Sequence, residues 1–224
     1  MKKTLFSLLT TAMLLTSANV NAQTLSVETV EIEKGGQTEL VVNLAEGTAM
    51  TALQFKLQLP EGLTADAGSV TLGAATNGHT LSVQPLASGD LLFVLYSMDL
   101  KAFNNGELLR IPLSASNEAL ADLGQLYTVR TATAEAVSHA CSNETFNIDP
   151  YLLGDINGDD KVDVTDYIGV ANNILGTPQA VFKAKAADVN RDAKVDVTDY
   201  IGVANIILTG TPSASSRTTT ARKR

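Results

Sequence analysis

Two stretches toward the C-terminal end carry oxygen-bearing side chains at alternate positions. The first reads DINGDDKVDVTDYIGVANNIL from Asp155 to Leu175, and the second reads DVNRDAKVDVTDYIGVANIIL from Asp188 to Leu208. The copies differ only at Ile156/Val189, Gly158/Arg191, Asp160/Ala193 and Asn173/Ile206. Carboxylates and carboxamides at this spacing suit a hard cation. Ca2+ takes about six to eight oxygens at roughly 2.3–2.6 Å, supplied by loop positions 1, 3, 5, 7, 9 and 12. In the first copy these are Asp155, Asn157, Asp159, the carbonyl of Lys161, Asp163 through water, and Asp166. In the second they are Asp188, Asn190, Asp192, the carbonyl of Lys194, Asp196 and Asp199. One Ca2+ per loop, two in all, is the expected cofactor set.

Two departures from the usual loop stand out. Position 12 is Asp where a longer Glu is common, and position 6 is Asp160 or Ala193 where Gly makes the sharp turn. Position 8 is apolar in both copies, Val162 and Val195, and can pair across the loops. Two carboxylates ~4 Å apart repel by about 1 kcal/mol in bulk water, and by more when partly buried. Calcium is therefore expected to be required for this part to fold. An acidic turn capping a helix would account for Asp163 and Asp166, and for Asp196 and Asp199. It leaves Asp155, Asn157, Asp159, Asp188, Asn190 and Asp192 without a reason.

Behind each loop the pattern becomes helical. Tyr167, Ile168, Ala171, Ile174 and Leu175 fall on one apolar face, repeated by Tyr200, Ile201, Ala204, Ile207 and Leu208. No helix is expected before either loop. A loop–helix pair, duplicated, with Asp at position 12, resembles a type I dockerin over residues 152–210. That resemblance implies a small all-α module with two EF-hand-like repeats, 155–175 and 188–208, and a cohesin-type protein domain as partner. It also implies partner contacts at Val164, Thr165, Val197 and Thr198, and further along at Ala171, Asn172, Ala204 and Asn205. The Ser-Thr and basic pairs of well-known clostridial modules are absent here. Identity of the two copies at all these positions implies two related binding faces, or a duplication alone.

Residues 23–149 have a β texture. Leu25–Ile32 and Thr51–Leu59 alternate, Thr38–Leu44 is a further run between them, and Pro60-Glu61-Gly62 supplies a turn. Ser69–Leu72, Thr80–Val83, Leu91–Tyr96, Leu108–Leu113, Gln125–Ala132 and Thr145–Ile148 follow. Asn117–Gly124 reads as a short helix or a long turn. Many short strands with turns between them point to an antiparallel β-sandwich. Ala52–Gly62, Leu91–Ser97 and Gly106–Leu113 resemble the strands of cohesin-like, jelly-roll sandwiches in secreted bacterial proteins. A carbohydrate-binding sandwich or a plain spacer would read almost the same way. The fold class is thus multi-domain: a β-sandwich, a junction from Asp149 to Gly154, then the dockerin at 150–210.

The ends read differently. Met1-Lys2-Lys3, the apolar Leu5–Leu15 and Val20-Asn21-Ala22 form a signal peptide over residues 1–22, cleaved after Ala22. Its apolar run is too short to span a membrane, and no cysteine follows it for a lipid anchor. Secretion, to the medium or the cell surface, is expected, with no transmembrane segment. Residues 211–224 form a basic tail with nothing apolar to bury, expected to be disordered.

A formal charge of −8 argues against nucleic acid, whose phosphates need a basic face. The single cysteine, Cys141, can form no internal disulfide. His79 and His139 stand apart and read as surface residues. A glycosidase needs two converging carboxylates, and Glu61, Asp66, Asp90, Asp99 and Glu107 show no such pairing in sequence. Sugar-binding faces use exposed aromatics. Phe55, Phe93, Phe103, Tyr96 and Tyr127 are available, the first two on faces that read as core. The expectation is a non-catalytic, calcium-dependent assembly protein. A dockerin-borne carbohydrate-binding module, acting in polysaccharide breakdown, and a small hydrolase are the alternatives.

Overall fold

The computed structural model describes residues 25–45 and 49–210. The expected signal peptide and basic tail lie outside the described residues. No described helix is long and apolar enough to cross a membrane.

Among the described residues, twelve strands precede three α-helices. They are β1 (Leu25–Val27), β2 (Val30–Glu33), β3 (Gln37–Leu44), β4 (Ala52–Gln58), β5 (Leu63–Ala65), β6 (Thr71–Leu72), β7 (Thr80–Pro85), β8 (Leu91–Tyr96), β9 (Gly106–Ala115), β10 (Asp122–Ala132), β11 (Ser138–Ala140) and β12 (Glu144–Tyr151). The helices are α1 (Val164–Ile174), α2 (Ala184–Ala187) and α3 (Val197–Thr209). One sheet has the order β1-β3-β9-β5 with β6 beside β9. The other runs β2-β12-β10-β4-β8-β7 with β11 beside β10. The β2–β12 pair is parallel, and the rest are antiparallel among the described residues.

The alternating strands bury one face each. Leu40, Val42, Ile111 and Leu113 from one sheet meet Leu53, Phe55, Leu57, Phe93 and Leu95 from the other. Phe55 and Phe93 stack with centroids 4.9 Å apart. The expected sandwich is thus the architecture found.

Several local expectations change. A single helical turn, α2, stands directly before the second loop, where no helix was expected. Leu25–Ile32 is two strands in different sheets. The buried residues shift phase, from Leu25 to Val30 and Ile32, across the exposed Glu28 and Thr29. That phase break lets the chain cross between layers. Asn117–Gly124 holds no helix, since β10 already starts at Asp122. Short β5 and β11 were too brief to stand out by alternation. His79 is buried rather than superficial: it stacks on Phe103 at 3.7 Å, and its Nδ1 faces the Thr76 carbonyl. The junction Asp149–Gly154 is partly strand, because β12 pairs through Tyr151 with Glu33.

The module has its own small core of Leu153, Ile156, Val170, Ala187, Val189, Val203 and Ile206. Tyr151 at the end of β12 packs against it, so the last strand residue belongs to both bodies. The equivalent rings Tyr167 and Tyr200 stack at 3.9 Å and relate the two helices. Gly202 lets α3 approach the second loop: a Cβ there would lie 2.8 Å from Cγ1 of Val189.

Candidate functional site

The loops are drawn inward by their own carboxylates. Asp155 is buried, and its oxygens accept the N–H groups of Gly158 (2.7 Å), Asp159 (3.1 Å) and Asp160 (2.9 Å). Asp166 has no solvent exposure. It accepts from the N–H groups of Ile156 at 2.8 Å, Asn157 at 3.1 Å and Asp163 at 2.9 Å. The second loop repeats the scheme with Asp188 on Asp192 (3.0 Å) and Ala193 (2.9 Å). Asp199, also fully buried, accepts from Asn190 (3.1 Å) and Asp196 (3.0 Å). Asn157 and Asn190 each accept from the N–H two residues on, at 2.9 Å. Asp159 and Asp192 likewise take the N–H of Lys161 (3.1 Å) and Lys194 (3.0 Å).

The turn at position 6 exists without glycine. Asp160 and Ala193 adopt left-handed φ values of 63° and 67°, and Gly158 and Arg191 at position 4 do so at 77° and 60°. Asp163 and Asp196 are also helix N-caps. In both helices a capping box joins them to Asp166 and Asp199. Capping and loop closure are therefore served by the same carboxylates. Val162 and Val195 pack against the module core.

The donor set fits a hard cation. Every predicted side-chain ligand is an oxygen, with no imidazole or thiolate that would favour zinc. Among the described residues no three His, Cys, Asp or Glu side chains are placed to hold a metal by themselves. The Asn oxygen and the Lys161 or Lys194 carbonyl would add to the carboxylates of each loop. Burial pushes the Asp155 carboxyl up, and the neighbouring Asp166 adds to the shift. A cation among these oxygens would offset that cost.

The helices bury a different face from the expected one. Asp166, Gly169 and Val170 are buried in α1, and Asp199, Gly202, Val203 and Ile206 in α3. Most of the apolar stripe read from periodicity faces solvent: Ile168 is 51% exposed, Leu175 76%, Ile201 55% and Leu208 81%. Val164 and Val197 extend the two rows, while Ala171, Asn172 and Ala204 are half-buried beside them and Asn205 is exposed. Of the expected contact residues, Val164, Thr165, Val197, Thr198 and Asn205 are thus exposed, and three are half-buried. Ile168, Leu175, Ile201 and Leu208, read from periodicity as part of one apolar face, belong with the exposed ones. Thr165 and Thr198 are exposed, but their hydroxyls are turned into the loops. The Thr165 hydroxyl donates to Asp163 (2.7 Å) and accepts from Asn157 (3.0 Å), and that of Thr198 donates to Asp196.

Asp66 is engaged by Ser69 and Gly68, Asp90 by Ser88 and Tyr127, Asp99 by Lys101, and Glu107 by Arg110. Phe55, Phe93 and Phe103 are buried, Tyr127 is half-buried, and Tyr96 is exposed. His139 and Cys141 are half-buried, and Cys141 is a free thiol.

No curated protein matches the chain. The sandwich is similar to solved cohesins. A non-cellulosomal cohesin from Archaeoglobus fulgidus is 16% identical, with a TM-score of 0.46 over 56% of this chain and 90% of its own. A type I cohesin–dockerin complex from Clostridium thermocellum gives 12% identity and a TM-score of 0.49 over 58% of this chain and 100% of the other. A type II cohesin from Bacteroides cellulosolvens gives 14% and 0.48 over 58% and 99%. The family model described as dockerin type I domain matches residues 153–208, spanning both loops, α1, α2 and all but the last residue of α3, and this segment is a dockerin set behind a β-sandwich.

Proposed function

We propose that the chain is a secreted, non-catalytic adaptor whose dockerin binds two calcium ions and docks onto a cohesin-type domain of another protein. On this reading it assembles extracellular polysaccharide-degrading or cell-surface complexes. Residues 1–22 are the signal peptide, 23–149 the sandwich, 150–210 the dockerin and 211–224 a basic tail.

The observation that carries the proposal is the pair of solvent-facing apolar rows along α1 and α3. A helix that leaves Ile and Leu in water while burying Asp and Gly reserves that face for something outside the chain. Burying one such side chain contributes about 1.5–3 kcal/mol. The calcium ligands would act by closing each loop and fixing the start of its helix. Through Asn157, Asp163 and Thr165 the first loop is tied to the beginning of its apolar row. Partner binding should therefore follow calcium binding.

Calorimetry against a panel of cohesins, with calcium and with chelator, tests this. Ile168→Asp with Ile201→Asp should abolish binding while calcium uptake and helical circular dichroism persist. Undiminished cohesin binding by that double variant would sink the assignment of the face. Carbohydrate binding by the sandwich has less to stand on, with Tyr96 the one exposed ring among its five expected aromatics. A glycan array with the full chain distinguishes the two.

A further inference from the structure

The two repeats are near-copies, so the positions where they differ mark where their surroundings differ. Three of the four differing positions lie at the sandwich or at the chain's exit from it. Arg191, which is Gly158 in the first repeat, reaches Glu33 at the end of β2 and donates from Nη2 to both carboxylate oxygens, at 2.7 and 3.0 Å. Asp160, which is Ala193 in the second repeat, accepts from Nζ of Lys34 at 2.5 Å. Ile206, which is Asn173 in the first repeat, is buried, and its Cδ1 would stand 3.1 Å from a Cβ on Gly154, where the chain leaves β12.

The segment between the repeats adds two more contacts. Lys183 meets Asp149 at 3.3 Å, and Lys185 meets Glu31 at 2.9 Å. No slack separates the bodies. Lys34 N–H donates to the Tyr151 carbonyl at 2.8 Å, and Gly154 N–H donates to that of Ala186 at 2.8 Å. An isolated surface ion pair contributes ~0–1 kcal/mol, partly because two long side chains must be ordered for it. Here four pairs converge around a strand that already runs into the module core, so much of the ordering is supplied by the backbone.

We infer that the β2–β12 edge of the sandwich is a docking surface for the chain's own calcium module, built from four opposite-charge pairs that hold the module in one orientation. The junction makes the two loops unequal while leaving the helix rows identical. It uses loop positions 4 and 6, and Val164, Ile168, Val197 and Ile201 stay exposed. Any partner on those rows is then presented at a set angle to the sandwich. The inference concerns the chain's internal geometry and holds whichever protein is the partner.

The test uses the full chain at saturating calcium. The variant Glu31→Ala, Asp149→Ala, Asp160→Ala, Arg191→Gly removes one member of each pair. Its two loop changes install residues that the other repeat already carries at similar φ, so the loops are expected to keep their fold. Backbone 15N relaxation of the parent should give one rotational correlation time for strands and helices. In the variant the helices should tumble faster than the strands, with helical circular dichroism unchanged. Two correlation times in the parent, or a single one retained in the variant, would overturn the inference. Should the variant lose its helical signal, a charge exchange decides. Glu33→Arg alone should separate the bodies, and adding Arg191→Glu should rejoin them. Failure to rejoin overturns the inference equally.

Discussion

Asp166→Asn and Asp199→Asn change one atom each in equivalent places, yet the structure gives them different costs. Asp166 accepts three backbone N–H groups, from Ile156, Asn157 and Asp163. Asp199 accepts two, from Asn190 and Asp196, because the Val189 N–H goes instead to the Ala187 carbonyl at 3.0 Å. An Asn side chain can keep its oxygen on the Oδ1 side and so orphans the N–H of Asp163 or Asp196. Orphaning a buried donor costs about 1–3 kcal/mol, and a bond to a charged acceptor is stronger than a neutral one by roughly 1 kcal/mol. Loop 2 thus loses one bond and weakens one, about 3 kcal/mol; loop 1 loses one and weakens two, about 4 kcal/mol. Urea unfolding at saturating calcium measures both, followed by far-UV circular dichroism in the helical band. Among the described residues all three α-helices lie in the module, so that band reports chiefly on it. The expected order is parent, then Asp199→Asn, then Asp166→Asn, with the variants about 1 kcal/mol apart. Equal costs, the reverse order, or a loss below about 1 kcal/mol in either would refute the assignment of these carboxylates as loop-closing acceptors.

Three further outcomes are expected. Chelating calcium from the full chain should remove the helical signal while the β signal persists, because only the loops depend on the ion; helicity unchanged in chelator would contradict this. Gly202→Ala should destabilise the module by about 1–3 kcal/mol through overpacking, because its Cβ meets Val189, whereas Gly169→Ala should cost less because its Cβ meets the flexible end of Gln179. Hydrogen bonds from Ser88 and then Tyr127 hold the Asp90 carboxyl below its usual range. The stability this gives the sandwich is full above the ordinary carboxylate pKa and is lost as pH falls through the lowered value. Tyr127→Phe should therefore cost about 1 kcal/mol at neutral pH and progressively less in acid, as urea melts across pH would show.

Much of the fold was legible because its determinants are local. Period-two alternation located β4, runs between turn-rich segments located β3, β8 and β9, and oxygen spacing located both loops. The β1–β2 crossing was also written in the sequence, as a change of phase between Leu25 and Val30, but an alternation count over the whole run conceals it. The helix face shows a different limit. Periodicity found the stripe of Ile168, Leu175, Ile201 and Leu208 but could not say which surface it meets. The burial of Val170 and Val203 depends on glycines that let the helices approach their loops, and on carboxylates bonded to the loop backbone. An apolar face buried within a chain and one kept for a partner have the same periodicity.

The duplicated copies supply what a single sequence otherwise lacks, an internal control. Their expected ligand positions and exposed rows are identical in residue type, so the proposed calcium binding and partner contact would make the same demands on each. Their differences fall on Asp160, Arg191 and Ile206, which meet Lys34, Glu33 and the turn at Gly154. The remaining difference, Ile156 against Val189, is a buried aliphatic pair within the module core. Asymmetry is thus confined to core packing and the junction. That distribution is what a two-fold module acquires when it is attached on one side to a larger body, because only the attached side distinguishes one copy from the other.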